Sequence, residues 1–413
     1  MSLPPLALYA HFPWCVRKCP YCDFNSYTLR DRLPEQRYLE ALVRDLQVQA
    51  EGLAGRRLVS VFMGGGTPSL FSAAAIERVI IAAREAFGFD DAIEITLEAN
   101  PGTIERGRFA EYRAAGINRV SLGAQSFDPH QLKKLGRIHS PAETGRAAEE
   151  LHAAGLENFN LDLMYALPGQ DVPGALADVE RALALEPAHV SHYQLTIEAG
   201  TVFAGSPPPG LPSDELAADM LTACAERLKQ EGFYHYETSA YARAGHTARH
   251  NLNYWSFGDY VGIGAGAHGK RTYPEHRRIE RTTRAREPRR YLACASSAPT
   301  LKSVAAADLP FEFMLNALRL TAGFEVELFE ARTGLSWEGV APTMDQLRTQ
   351  GLVECAGSHW SATALGARFL NDVLLRFLPS AAAVGREKND RTAPLYTADS
   401  RPSVNEQITS EIT

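Results

Sequence analysis

No stretch of this 413-residue chain approaches the roughly 20 consecutive apolar residues needed to cross a bilayer. The opening MSLPPLALYAHF lacks a basic region and a long apolar run, which argues against a secretory signal. Positive charge is not in excess: 42 Lys and Arg stand against 49 Asp and Glu, a net of −7. That balance excludes bulk nucleic-acid binding. No internal repeat is visible beyond an alternation of strand and helix patterns. Cysteine is sparse, and its six positions do not form the spread pairs of a disulfide framework. The expectation is a soluble, cytoplasmic protein with no membrane segment of its own.

Hydrophobic residues make up 45% of the chain, enough for a sizeable core. The length suggests two domains. Candidate strands are Leu8–Phe12, Leu58–Phe62, Ile93–Glu98, Arg119–Leu122, Phe159–Tyr165, Val190–Leu195 and Tyr234–Thr238. Between the first two, Tyr38, Leu39, Leu42, Val43 and Leu46 recur at helical spacing within Pro34–Gln49. Ser72 reads as the N-cap of a helix over Ala73–Phe87, and a further helix should follow Ser213. Strands alternating with amphipathic helices predict an α/β fold with a parallel sheet, as a full or partial barrel. Barrel chemistry sits at the C-terminal ends of the strands. The unusual residues obey that rule: the cysteines after the first strand, Gly64–Gly66 after the second, Glu98 at the end of the third, Gln125 after the fourth and Asp162 within the fifth.

The character changes near residue 270. Arg277, Arg278, Arg281, Arg284, Arg286, Arg289 and Arg290 crowd into one segment. Such a run is usually a solvated linker or helix surface; the functional alternative is a positive rim that meets ligand carboxylates. The expected layout is a barrel over 1–270, an arginine-rich connecting segment over 271–308, a small helical domain over 309–379 and a disordered polar tail over 380–413.

Cys15, Cys19 and Cys22 follow the spacing C-x3-C-x2-C. Thiolates bind iron strongly, and a cubane cluster normally takes four; three leave one iron open to a ligand. Structural zinc with His11 as fourth ligand, or a dithiol redox pair at Cys19–Cys22, are the other readings of the spacing. Cys224, Cys294 and Cys355 read as ordinary thiols.

The stretch Leu8-Tyr-Ala-His-Phe-Pro-Trp-Cys-Val-Arg-Lys-Cys-Pro-Tyr-Cys-Asp-Phe24 resembles the signature of radical-SAM enzymes. Met63-Gly-Gly-Gly-Thr-Pro-Ser69 resembles their glycine motif, where glycines permit close backbone approach. The resemblance implies a partial (β/α)6 barrel with a small, mainly helical C-terminal domain. It also implies a [4Fe–4S] cluster on Cys15, Cys19 and Cys22, whose open iron chelates S-adenosyl-L-methionine, and an electron donor that reduces the cluster.

The similarity extends to about residue 379 and is nearest to the oxygen-independent coproporphyrinogen-oxidase branch. By that resemblance Tyr9, Tyr21, Gly65, Gly66, Thr67, Glu98, Gln125, Arg137 and Asp162 contact S-adenosylmethionine, with Asp162 on the ribose hydroxyls. Within the branch, three features favour the heme-chaperone group over the decarboxylating oxidase. Phe24 stands where the oxidase has a further cysteine. Only fourteen residues precede Cys15. His250-Asn-Leu-Asn-Tyr-Trp255 is similar to the group's HNxxYW motif, and a glycine-rich run follows it, including Gly262, Gly264 and Gly266. The implied partners are heme and a heme-acceptor protein; the acceptor can itself be membrane-bound. His250 is a suitable axial ligand, and Tyr254 and Trp255 beside it, with Asn251, offer area for a porphyrin face. The bland reading of the same residues is a core histidine with aromatics that buttress the barrel.

Overall fold

The computed structural model describes residues 1–103 and 108–379. The expected disordered tail, 380–413, lies outside the described residues. Strand β1 is Leu6–Phe12, buried at every position, as befits a parallel strand covered on both faces. The cysteine loop follows, pinned by a short parallel pairing of Trp14–Cys15 with Tyr27–Thr28. Helix α1, Glu35–Ala50, buries Tyr38, Leu39, Leu42 and Leu46 on one face. After β2, Leu58–Gly65, helix α2, Ala73–Phe87, starts at Ser72, whose side chain accepts from the Ala75 amide. That bond satisfies one of the orphan donors of the first turn.

The alternation continues through β3 (Phe89–Ala99), α3 (Arg108–Ala114), β4 (Arg119–Gln125), α4 (Pro141–Ala153), β5 (Phe159–Tyr165), α5 (Val172–Leu183) and β6 (His189–Gln194). Helix α6, Asp214–Gln230, is capped by Ser213. Then come β7 (Tyr234–Glu237), β8 (Ala240–Ala242), α7 (Arg249–Trp255), β9 (Asp259–Ile263), β10 (His268–Tyr273), β11 (Arg278–Thr283) and β12 (Thr300–Ser303). All twelve strands join one sheet in the order β12-β11-β10-β9-β1-β2-β3-β4-β5-β6-β8-β7. Strands β9 and β1 to β6 run parallel to one another, an incomplete barrel of βα units with antiparallel strands at both edges. The cysteine loop and the glycines therefore stand at its C-terminal mouth, and the start of β2 and β3 at its floor.

Three expectations change. Tyr234–Thr238 is not a barrel strand: β7 is an antiparallel edge that pairs with β8. The seventh parallel strand is β9, inside the glycine-rich run after the HNxxYW motif. Finally, 271–308 is more than an arginine-rich connector, because β10 to β12 extend the main sheet there. Its arginines are drawn into the fold by buried acids. Arg281 pairs with Glu312, and Arg284 lies 3.2 Å from Asp45. The charge run concealed a strand because those carboxylates lie far away in sequence.

Past β12, α8 (Leu309–Ala317), α9 (Val326–Thr333) and α10 (Ala341–Thr349) pack with a three-stranded sheet of Phe324–Glu325, Val353–Ala356 and His359–Ala362. Their apolar residues form a second core of Phe311, Phe313, Phe324, Phe329 and Trp360, which also takes in Phe257 and Ile279. Among the described residues no helix is long and apolar enough to cross a membrane.

Candidate functional site

At the mouth, the glycine motif lies directly against β1. The Gly66 amide donates to Phe12 O at 2.7 Å and the Thr67 amide to Trp14 O at 2.8 Å. A Cβ on Gly66 would come within 2.7 Å of Trp14 O, and one on Gly65 would strike the His11 ring. Only glycine fits this approach. The Gly65 amide donates to Glu98 Oε2 at 3.0 Å.

Glu98 is half-buried beside Asp162, and burial first, then that charge, pushes its carboxyl up to about 8. Burial also raises Asp162, against hydrogen bonds from Asn160, Ser191 and Ser121 that favour its charge. The Asn160 Nδ2 bond is 2.7 Å. Two half-buried carboxyls at one mouth suit a ligand that brings ammonium or hydroxyl donors. Tyr9 lies inside the barrel next to them. Its hydroxyl meets His11 Nδ1 at 2.9 Å, and burial followed by Glu98 raises its pKa.

Gln125 ends β4 at φ 66, a left-handed conformation that a side chain adopts at a steric cost. Its Oε1 accepts from the Tyr193 hydroxyl at 2.6 Å. Arg137 spans from Gly123 O, at 2.8 Å, to Cys19 Sγ, at 3.7 Å. Its Nε is buried without a partner. Tyr21, packed on Phe203, lies buried beside Arg137 and Cys19. Sequence placed these residues on separate strands; the fold brings them to one rim.

The three thiols share that rim and are partly exposed. Burial raises Cys15, and it pushes Cys22 up to about 11 despite Ser26 and the Phe24 amide. Thiolates here need a compensating cation. Among the described residues no three His, Cys, Asp or Glu side chains gather as ligands of a single ion. His11, the fourth zinc ligand considered from spacing, is turned away: its Nε2 meets Asn25 O at 2.9 Å. The tetrahedral zinc reading fails on that geometry. A cubane spreads its thiolates over different irons, so a three-cysteine donor set on one loop fits it.

The HNxxYW residues are elsewhere. Helix α7 plugs the floor, at the opposite end of the strands. His250 is 4% exposed. Its Nδ1 meets Ser60 Oγ at 2.9 Å, near the start of β2, and its ring stacks on Phe62. Burial, then the charge of Arg119, lowers its pKa to about 3. The α7 amides of Arg249 and His250 donate to Glu94 at 2.9 and 3.0 Å. Tyr254 packs edge-on to His250 and against Tyr260. Asn251 and Trp255 lie against the buried carboxyl of Glu237, though the Trp255 Nε1–H reaches no partner of good geometry. As the chain stands, His250, Asn251, Tyr254 and Trp255 are packed in the floor and buttress the barrel, with the His250 Nδ1 taken by Ser60.

Comparison with known proteins places the chain in a family. Residues 9–182 match the Radical SAM superfamily, and residues 304–369 match the HemN C-terminal domain. The chain is 47% identical over 379 residues to "Heme chaperone HemW" of Escherichia coli, covering 92% of this chain and 99% of that protein. The chain belongs to the HemW family of radical SAM proteins. Its relative of the same name from Haemophilus influenzae is 46% identical over 91% of this chain and 99% of that protein. The solved coproporphyrinogen III oxidase (HemN) of E. coli shares the fold: TM-score 0.76 at 23% identity, covering 91% of this chain and 90% of that one. Radical SAM membership implies a [4Fe–4S] cluster and S-adenosylmethionine.

In this HemW-family chain the sequence reading missed the residues that hold the two ends together. Ser60, Glu94 and Glu237 support α7, and Tyr193 orients Gln125. Only Glu94 and Ser60 carried a faint signal, as polar residues inside otherwise apolar strands.

Proposed function

We propose that this chain is a heme chaperone, which binds heme and transfers it to an acceptor protein. One observation carries the reading: identity of 47% along nearly the whole length of a protein named for that role. The mouth is the proposed cofactor site. Cys15, Cys19 and Cys22 hold the [4Fe–4S] cluster. Gly65, Gly66 and Thr67 present backbone to the methionine end of S-adenosylmethionine, with Glu98 as acceptor for its amino group. A desolvated carboxyl gains from a cation placed beside it. Asp162 takes the ribose diol, since one carboxylate accepts from two hydroxyls. Tyr9, Tyr21 and Gln125 shape the pocket, and Arg137 balances thiolate charge at Cys19. When bound and reduced by an electron donor, the cluster and S-adenosylmethionine supply one-electron chemistry.

Heme is assigned to the floor. His250 is the proposed iron ligand, with Asn251, Tyr254 and Trp255 beside the porphyrin. That role requires α7 to uncover the buried His250 ring; Nδ1 can keep its Ser60 bond while Nε2 takes the iron. The cytoplasm is the proposed compartment. The test is heme transfer: anaerobically loaded protein is mixed with an apo-hemoprotein, and the absorbance of each is followed after separation. Saturable loading followed by transfer supports the reading. Failure to load heme at all removes it.

A further inference from the structure

The C-terminal end of α7 packs against the C-terminal domain, and the contacts fall on residues 255–257. Helix α7 ends on Phe257 at φ 55. Glycine normally fills that left-handed cap, and Gly258 is next in line. The strained position holds a phenylalanine whose ring works as an anchor. It lies 1% exposed in the second core, edge-on to Phe313 at 5.7 Å.

Arg319, just after α8, lays its guanidinium over the Trp255 ring at 5.1 Å from the centroid, and its Nε donates to Leu315 O. Arg332, at the end of α9, donates to Ser256 O at 3.3 Å. Glu237 sits behind, facing Arg319, Asn251 and Trp255. The β7 edge that carries Glu237 is itself tied to this domain. The Thr321 amide donates to Tyr236 O at 3.1 Å, and its Oγ1 to His235 O at 2.7 Å. On the other side of α7 the chain enters through Gly245, at φ +81, with open space around it. One end of the helix is thus anchored in a second core, and the other is held only at its first turn, by Glu94, beyond a glycine turn.

We propose that the C-terminal domain is a latch on α7: its Phe257, Arg319 and Arg332 contacts keep the helix in the floor, and heme reaches His250 when they release. The proposal rests on His250 as heme ligand. Loss of the Arg319 contact over the indole should raise the open population by roughly 2- to 30-fold.

The experiment uses full-length, anaerobically reconstituted protein: wild type, Arg319→Gln, Arg332→Gln and the milder Arg319→Lys, each also combined with His250→Ala. Hydrogen exchange is read on peptides over 249–257 and over 62–67, and heme association by stopped flow. The latch predicts faster exchange over 249–257 alone and faster heme association, abolished by His250→Ala. Unchanged exchange over 249–257 in every variant overturns the latch. Faster exchange without faster association overturns its control of heme entry. If His250→Ala alone leaves heme association unaltered, the ligand assignment is what fails, and the exchange data still decide whether the domain pins the helix. Should the glutamine variants misfold, Arg319→Lys keeps charge while altering the stacking, and carries the same comparison.

Discussion

The mouth and the floor of this barrel are both lined with polar residues, yet they are built to opposite ends. At the mouth the polar groups converge from separate strands. Glu98 and Asp162 stand side by side as half-buried carboxyls, the Arg137 Nε has no partner, and Gln125 is held in a left-handed conformation. At the floor Glu94 takes the first α7 amides and Ser60 takes His250. The mouth gathers carboxyls, thiols and a glycine loop that one ligand can meet together; the floor is knit to its helix by hydrogen bonds, with the Trp255 Nε1–H left over. A run of ligand-type residues in sequence is therefore not yet a site. The fold decides whether those residues face a space or one another.

Breaking the mouth should have the largest effect. Cys19→Ala, reconstituted without oxygen, should lose the cluster, read as iron and sulfide per chain, while α7 stays folded. Full iron and sulfide in that variant would refute the ligand assignment. Gly66→Ala comes next. Its methyl would sit 2.7–2.8 Å from the carbonyls of Trp14 and Phe12, so the loop must lift. Affinity for S-adenosylmethionine, by equilibrium dialysis, should fall on the order of tenfold or more, about 1.4 kcal/mol per decade. Unaltered affinity would show that this loop does not touch the ligand.

Glu94→Ala addresses the floor. It leaves two buried amides without an acceptor, at about 1–3 kcal/mol each. Denaturant unfolding should show lower stability and the cluster content should be unchanged. An unaffected midpoint would mean that α7 contributes little to the closed floor.

The smallest effects are in pH dependence, and they run in opposite directions. Glu98 is raised from 4.5 to about 8. Its folded form prefers the proton, so its contribution is complete below 4.5 and is lost as pH rises through 8. His250 is lowered from 6.5 to about 3. Its contribution is present above 6.5 and is lost as pH falls through 3. In the cofactor-free protein, Glu98→Gln should flatten the stability curve on the alkaline side and His250→Phe on the acid side. His11, His139, His192 and His268 are also lowered to about 4, so the acid arm is read as a difference from wild type. If the two variants flatten the same arm, the contrast between mouth and floor fails.

Much of the barrel was legible because its signals are local. Strands β1 to β6 show as apolar runs, and Ser72 and Ser213 announce helix starts by their own chemistry. The cysteine spacing and the glycine motif are likewise short-range patterns. What stayed hidden depends on contacts distant in sequence. Strand β11 is disguised by arginines: Arg281 within it meets Glu312, and Arg284 just past it lies against Asp45, partners tens or hundreds of positions away. The HNxxYW motif shows its aromatic rings and imidazole in sequence, but nothing in six residues says which end of a barrel they will occupy. That is fixed by Glu94 and Ser60 on strands formed more than 150 positions earlier.

The central claim is that cofactor and heme occupy opposite ends. Its most direct test is an anaerobic heme titration of wild type, Cys19→Ala and His250→Ala, followed by absorbance. Wild type and Cys19→Ala should both saturate with a single heme per chain, and His250→Ala should bind weakly while keeping its cluster. Absence of saturable binding in wild type, or weakening in Cys19→Ala with His250→Ala unaffected, would contradict it.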